Sequence, residues 1–135
     1  MPAPPVLKGV YIFPNGDRYD GEYVMIDGNL QRNGYGTHTT PDGHRYEGQW
    51  IADRMLGKGC LTHPSGASYD GEFMDNKFHG RGKYSWPDGS YVMCNFNDNL
   101  LNGQGTYVDP RGQAWVGNFN KLQANNLRFV LNMKT

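Results

Sequence analysis

The sequence predicts an all-β fold, an elongated single-layer antiparallel meander of short hairpin repeats. Three markers recurring in phase predict it. Pro-x-Gly occurs at Pro14/Gly16, Pro41/Gly43, Pro64/Gly66, Pro87/Gly89 and Pro110/Gly112, and the last four are spaced by 23 residues. Three residues after each comes aromatic-x-Gly-x-aromatic: Tyr19-Gly21-Tyr23, Tyr46-Gly48-Trp50, Tyr69-Gly71-Phe73 and Trp115-Gly117-Phe119. Gly-x-Gly then follows at Gly34/Gly36, Gly57/Gly59, Gly80/Gly82 and Gly103/Gly105. A fixed period of this length marks a repeat array.

Residues 1–8 precede the array as a flexible segment, and Gly9 fits the second glycine of a truncated leading unit. The array itself covers residues 9–119 in five units. Each unit holds two strands. In the first, such as Ser68 to Met74, Tyr69, Gly71 and Phe73 share one face by period two. The second begins at Gly-x-Gly, such as Gly80 to Trp86. A loop, Asp75 to His79, joins them, and Asp53, Asn76 and Asn99 occupy equivalent places suited to left-handed backbone. Pro-x-Gly turns each unit into the next. Five units give about ten strands, a sheet on the order of 50 Å long at about 4.8 Å per strand.

Two irregularities interrupt the period. The first gap is 27 residues, and Asp27-Gly28-Asn29 within it reads as a longer hairpin loop. The fourth unit has Val92, Cys94 and Phe96 where the pattern wants Tyr, Gly and an aromatic. Cys94 is expected to fill space under a ring. Residues 120–135 form a capping segment. The alternation of Leu127, Phe129, Leu131 and Met133 reads as a final strand, with a short helix as the alternative.

Glycine inside strands is costly in backbone entropy and missing side chain. Its repetition implies that rings lie over the bare glycines, which suits a sheet without a second layer. Tyr19, Gly21, Tyr46, Gly48, Tyr69, Gly71 and Gly117 are therefore structural repeat residues. Since one layer cannot bury both faces, some rings stay partly exposed. Trp50, Phe73, Phe78, Trp86, Phe96 and Trp115 are the candidate partner-binding residues, with Phe78 and Trp86 outside the ring-and-glycine lattice and best placed for contact. The open face would take a peptide or helix as its second layer.

Composition excludes other classes. Thirteen basic and thirteen acidic residues cancel and no basic run occurs, so neither nucleic acid nor tight electrostatic membrane docking is expected. Cys60 and Cys94 lie far apart, and the four histidines are scattered, so no metal, cofactor or disulfide framework is read. Asp70 and Glu72 share the solvent face, and no local spacing suggests a catalytic group. Gly-x-Gly is followed by no helix, so it is no phosphate loop. Met1 to Pro5 lacks signal-peptide features, which implies a cytoplasmic protein. Exposed first and last strands invite end-to-end pairing.

These residues resemble the MORN repeat. Tyr46-Glu47-Gly48-Gln49-Trp50, Phe78-His79-Gly80-Arg81-Gly82 and Pro87-Asp88-Gly89 carry the likeness, over about residues 9–119. MORN arrays occur in junctional membrane proteins, plant phosphoinositide kinases, parasite cytoskeletal scaffolds and flagellar radial-spoke heads. The resemblance implies a non-catalytic scaffold or adaptor in a cytoskeletal, ciliary or flagellar assembly. A phospholipid-binding module is the alternative, with Lys58, Lys77, Arg81 and Lys83 its few cations.

Overall fold

In the computed structural model, which describes residues 3–123, the chain is one open antiparallel sheet. Ten strands occur among the described residues: β1 Leu7–Ile12, β2 Arg18–Ile26, β3 Asn29–Thr39, β4 Arg45–Ile51, β5 Arg54–Thr62, β6 Ser68–Met74, β7 Lys77–Ser85, β8 Tyr91–Asn97, β9 Leu100–Val108 and β10 Ala114–Gln123. They lie side by side in chain order, each hydrogen-bonded to its sequence neighbours. The expected all-β meander is therefore the fold observed. Paired strand begins at Leu7, opposite Tyr23, two residues ahead of Gly9.

Two kinds of turn form the two rims. On one rim Pro-x-Gly makes a three-residue hairpin. Gly66 N donates to His63 O at 2.9 Å and His63 N donates to Ala67 O at 2.8 Å. His63 thus belongs to this turn. Along this rim Gly43 faces Pro64 and Gly66 faces Pro87, so successive turns stack.

The other rim corrects the sequence reading. The five-residue loop Asp75 to His79 is a two-residue turn, Asp75-Asn76, with φ of 53° and 70°. Both values match the turn whose twist suits a hairpin. β7 consequently starts at Lys77, before Gly-x-Gly, and Phe78 is a strand residue opposite Phe73. The extra residues of the first gap likewise make no long loop. Asp27-Gly28 is again a two-residue turn, and β2 and β3 are 9 and 11 residues against 7 and 9 for β6 and β7.

This rim is also stitched between units. Asn76 Oδ1 accepts from Met55 N at 2.9 Å, and Asn76 N donates to Met55 O at 3.1 Å. Asn99 does the same with Phe78, and Asp53 with Arg32. Each turn residue therefore satisfies its own left-handed backbone and both polar groups of a residue one unit earlier.

Each first strand carries a bulge, as between Gly71 and Phe73. The extra residue swings Gly80 to φ 73°, and Glu72 Oε2 accepts from Arg81 N at 3.0 Å beside it. Glu22 and Gln49 play the same part for Tyr35 and Lys58.

Candidate interaction face

Period two sends the tyrosines and in-strand glycines to one face and most charges to the other. On the ring face Gly71 and Gly82 lie opposite each other, and Tyr69 lies flat across both. A Cβ on Gly82 would come within 2.7 Å of Tyr69 Cε2, and one on Gly71 within 2.8 Å of its hydroxyl. Tyr46 over Gly48/Gly59 and Tyr19 over Gly21/Gly36 repeat the arrangement. The hydroxyls of Tyr46 and Tyr69 donate to Gln49 O and Glu72 O at 2.9 and 2.8 Å. Bare backbone beneath and rings at the sides leave Tyr19, Tyr46 and Tyr69 at 0, 3 and 1% exposure.

The rings reach across the glycine strands. Tyr46 in β4 meets Phe73 in β6 edge-on at 5.1 Å, and Tyr69 in β6 meets Phe96 in β8 at 5.0 Å. Edge-to-face pairs at this spacing are favourable beyond their burial. Burial raises the tyrosine pKa values, to about 12 for Tyr19 and Tyr46 and higher still for Tyr69.

The six residues expected at a partner surface are placed as follows. Trp50, Phe73 and Phe96 are buried in the ring ladder. Trp86 is buried as well, against Tyr84 and Tyr107. Phe78 is half-buried and stacks on Tyr69 at 3.9 Å and 4°. Phe78 and Trp86 are thus members of the packed face, contrary to the expectation that they stand outside it. Trp115 alone of the six is exposed, at 41%. The sequence signal that separates them is position. β4, β6 and β8 have strands on both sides, whereas β10 has a neighbour only at β9 among the described residues.

The altered fourth unit is packed differently from expectation. Val92 has replaced the ring, so Cys94 does not sit beneath one. Its Sγ fills the ring's place instead, 3.0 Å from where a Cβ on Gly105 would stand. Val92 and Cys94 are 0 and 3% exposed, so both stay buried despite the exchange. Burial pushes both the Cys94 and Cys60 thiols up, away from an activated nucleophile.

Sequence reasoning missed a polar cluster on the first long hairpin. Arg32 stands one unit before Met55, in the column continued by Phe78 and Leu101. Its guanidinium lies 4.1 Å over the Trp50 ring. Arg32 Nε donates to Asp53 Oδ1 at 2.6 Å, and another nitrogen meets His38 Nδ1 at 3.2 Å. His38 Nε2 meets Asp17 Oδ2 at 2.9 Å. Arginine only donates, so His38 Nδ1 accepts and Nε2 carries the proton toward Asp17. Burial pushes Asp53 up, but the Arg32 hydrogen bonds and charge outweigh it and hold the carboxyl below its ordinary value. The histidine faces an arginine where a catalytic dyad would present a nucleophile. The chemistry of the cluster is that of a structural clamp, with the Arg32 charge balanced by Asp53.

Beside the clamp lies a shallow depression of about 200 Å³ lined by Arg32, His38, Tyr46, Trp50, Met55 and Leu61. Half-buried Met55, Leu61, Phe78 and Tyr84 continue from it as an apolar stripe along the second strands. The opposite face carries most of the charges, with Met93 and Val116 also exposed on it. Asp70 and Glu72 are exposed there, and in register Lys58 faces Glu72 while Lys83 faces Asp70. Among the described residues no group of three His, Cys, Asp or Glu is placed to hold a metal ion, and no helix is long and apolar enough to cross a membrane.

The MORN repeat family model matches residues 8–18, 31–45, 46–68, 69–91 and 95–114, which is more than half of the chain. No curated protein matches it significantly.

Proposed function

The chain belongs to the MORN-repeat family, and on that premise we propose that it works as a non-catalytic interaction scaffold in the cytoplasm. The family is one of non-enzymatic repeats known in protein- and membrane-interaction modules. The partner in this reading is a peptide or helix of another protein, laid along the ring face. The supporting observation is the half-buried stripe of Met55, Leu61, Phe78 and Tyr84. It offers aliphatic and aromatic contact without displacing Tyr19, Tyr46 or Tyr69 from their glycines. A cytoskeletal, ciliary or flagellar assembly is the setting we propose, on the likeness to the family's scaffolds. The finer likeness, to the short MORN repeat-containing protein 2, rests on Pro64 to Ala67, Asp75 to Gly80 and Gly117 to Asn120.

The lipid reading receives less support, because Lys58 and Lys83 each have a carboxylate opposite in register. Two measurements separate the readings. The intact chain should retain a protein partner in affinity purification and lose it on Leu61→Asp, while Asp70→Asn on the polar face keeps it. Sedimentation with acidic vesicles at physiological salt should leave the chain in solution. Equal retention by both variants, or strong vesicle binding, overturns the proposal.

A further inference from the structure

The two outer strands are complementary halves of one repeat unit. In three complete units the second-strand glycine is covered by the tyrosine of the preceding first strand: Gly36 by Tyr19, Gly59 by Tyr46, Gly82 by Tyr69; in the fourth Cys94 fills that place over Gly105. Gly9 holds the same repeat position in β1, and β1 is the outermost strand described. Its Cβ position meets only Tyr23, at 3.7 Å. Gly9 is a glycine without its covering ring. At the other end β10 is a first strand, Trp115-x-Gly117-x-Phe119, and no strand beyond it is described. Trp115 holds the place of Tyr69, yet is 41% exposed where Tyr69 is 1%.

We infer that the chain associates head to tail with copies of itself, β10 of one copy pairing antiparallel with β1 of the next. The register follows from the internal units. Gly71 faces Gly82, Tyr69 faces Tyr84 and Ser68 faces Ser85. Gly117 then faces Gly9, Trp115 faces Tyr11, and Ala114 faces Ile12. Val116 meets Val10 on the other face, where they are 72 and 55% exposed. The contact buries apolar side chains on both faces and satisfies two open rows of backbone groups.

The two ends of one copy lie on the order of 40 Å apart at about 4.8 Å per strand, so they do not meet within a chain. A head-to-tail contact is heterologous and builds a growing series, not a closed dimer. The competing occupant of the β10 edge is the segment 124–135, which lies outside the described residues. It contains no glycine on which Trp115 could lie.

Sedimentation velocity of the full chain over a concentration series tests this. Wild type should form a ladder of species that lengthens with concentration. Gly9→Val places a side chain where Trp115 must lie, while in the single chain that position has room, so the variant should fold yet stay monomeric. Trp115→Ala removes the ring and should also stay monomeric. Each variant keeps one intact end, so mixing the two should yield a dimer and nothing longer. A wild type that is monomeric throughout, a Gly9→Val variant that still associates, or either variant dimerising alone overturns the inference. Thermal melts of both variants confirm that each is folded.

Discussion

Adding one methyl group at Gly82 tests the ring-on-glycine packing. A Cβ there would sit 2.5 Å from Tyr69 Cζ and 2.7 Å from Cε2, well inside contact distance. Tyr69 is 1% exposed and walled by Phe73, Phe78 and Phe96, so its ring has no free side to move into. Overpacking of this kind costs about 1–3 kcal/mol. Displacing the hydroxyl from Glu72 O adds about 1 kcal/mol. Alanine's lower backbone entropy cost returns about 0.5–1 kcal/mol. Gly82→Ala should therefore destabilise by about 1–3.5 kcal/mol in urea unfolding of the full chain. Gly9→Ala is the control. Within one chain nothing lies closer than 3.7 Å, so at concentrations where the chain is monomeric it should be neutral or stabilising by about 0.5 kcal/mol. In a Tyr69→Ala background the Gly82→Ala change should lose most of its cost, a coupling of about 1–2 kcal/mol. Equal effects at Gly82 and Gly9, or strict additivity with Tyr69→Ala, would refute the packing argument.

Three further outcomes follow from the same geometry. Val92→Tyr alone should destabilise by about 1–3 kcal/mol through collision with Cys94, and Val92→Tyr with Cys94→Gly should recover much of it, as compared by urea midpoints. Asn76→Ala loses the bond to Met55 N and leaves a residue with a Cβ but no side-chain hydrogen bond at φ 70°, costing about 1–2 kcal/mol, whereas Asn76→Gly costs less; thermal melts rank the two. Tyr19 and Tyr46 have folded pKa values raised from 10.0 to about 12, so their contribution is complete below pH 10 and is lost as pH rises through 12; melting temperature against pH should fall in that window, and fall less for Tyr46→Phe.

Much of the fold was legible in the sequence because the repeat has period 23 and its strands have period two. Glycine at Gly71 and Gly82 marked where a ring must lie, and Tyr69 marked which ring. What could not be read is where one side chain reaches beyond its own unit. The pattern Asp75-Asn76-Lys77-Phe78-His79 looks like a loop because polar turn residues run into an aromatic. Only pairing across the hairpin shows that Phe78 faces Phe73, and only stacking on Tyr69 shows it is packed. Arg32 was illegible for the same reason. Its partners are Trp50 and Asp53 from the next unit and His38 from its own strand, which Asp17 holds in turn. Trp86 looked spare because it follows a strand alternation into the turn, yet the next unit supplies Tyr107 to cover it.

The most direct test of the scaffold account is site-specific photo-crosslinking in cells with the full chain. A photoreactive residue replaces Leu61 on the ring face or Asp70 on the polar face. The account predicts a discrete protein adduct from position 61 and none from position 70. Adducts from position 70 alone, or lipid adducts from either, would contradict it.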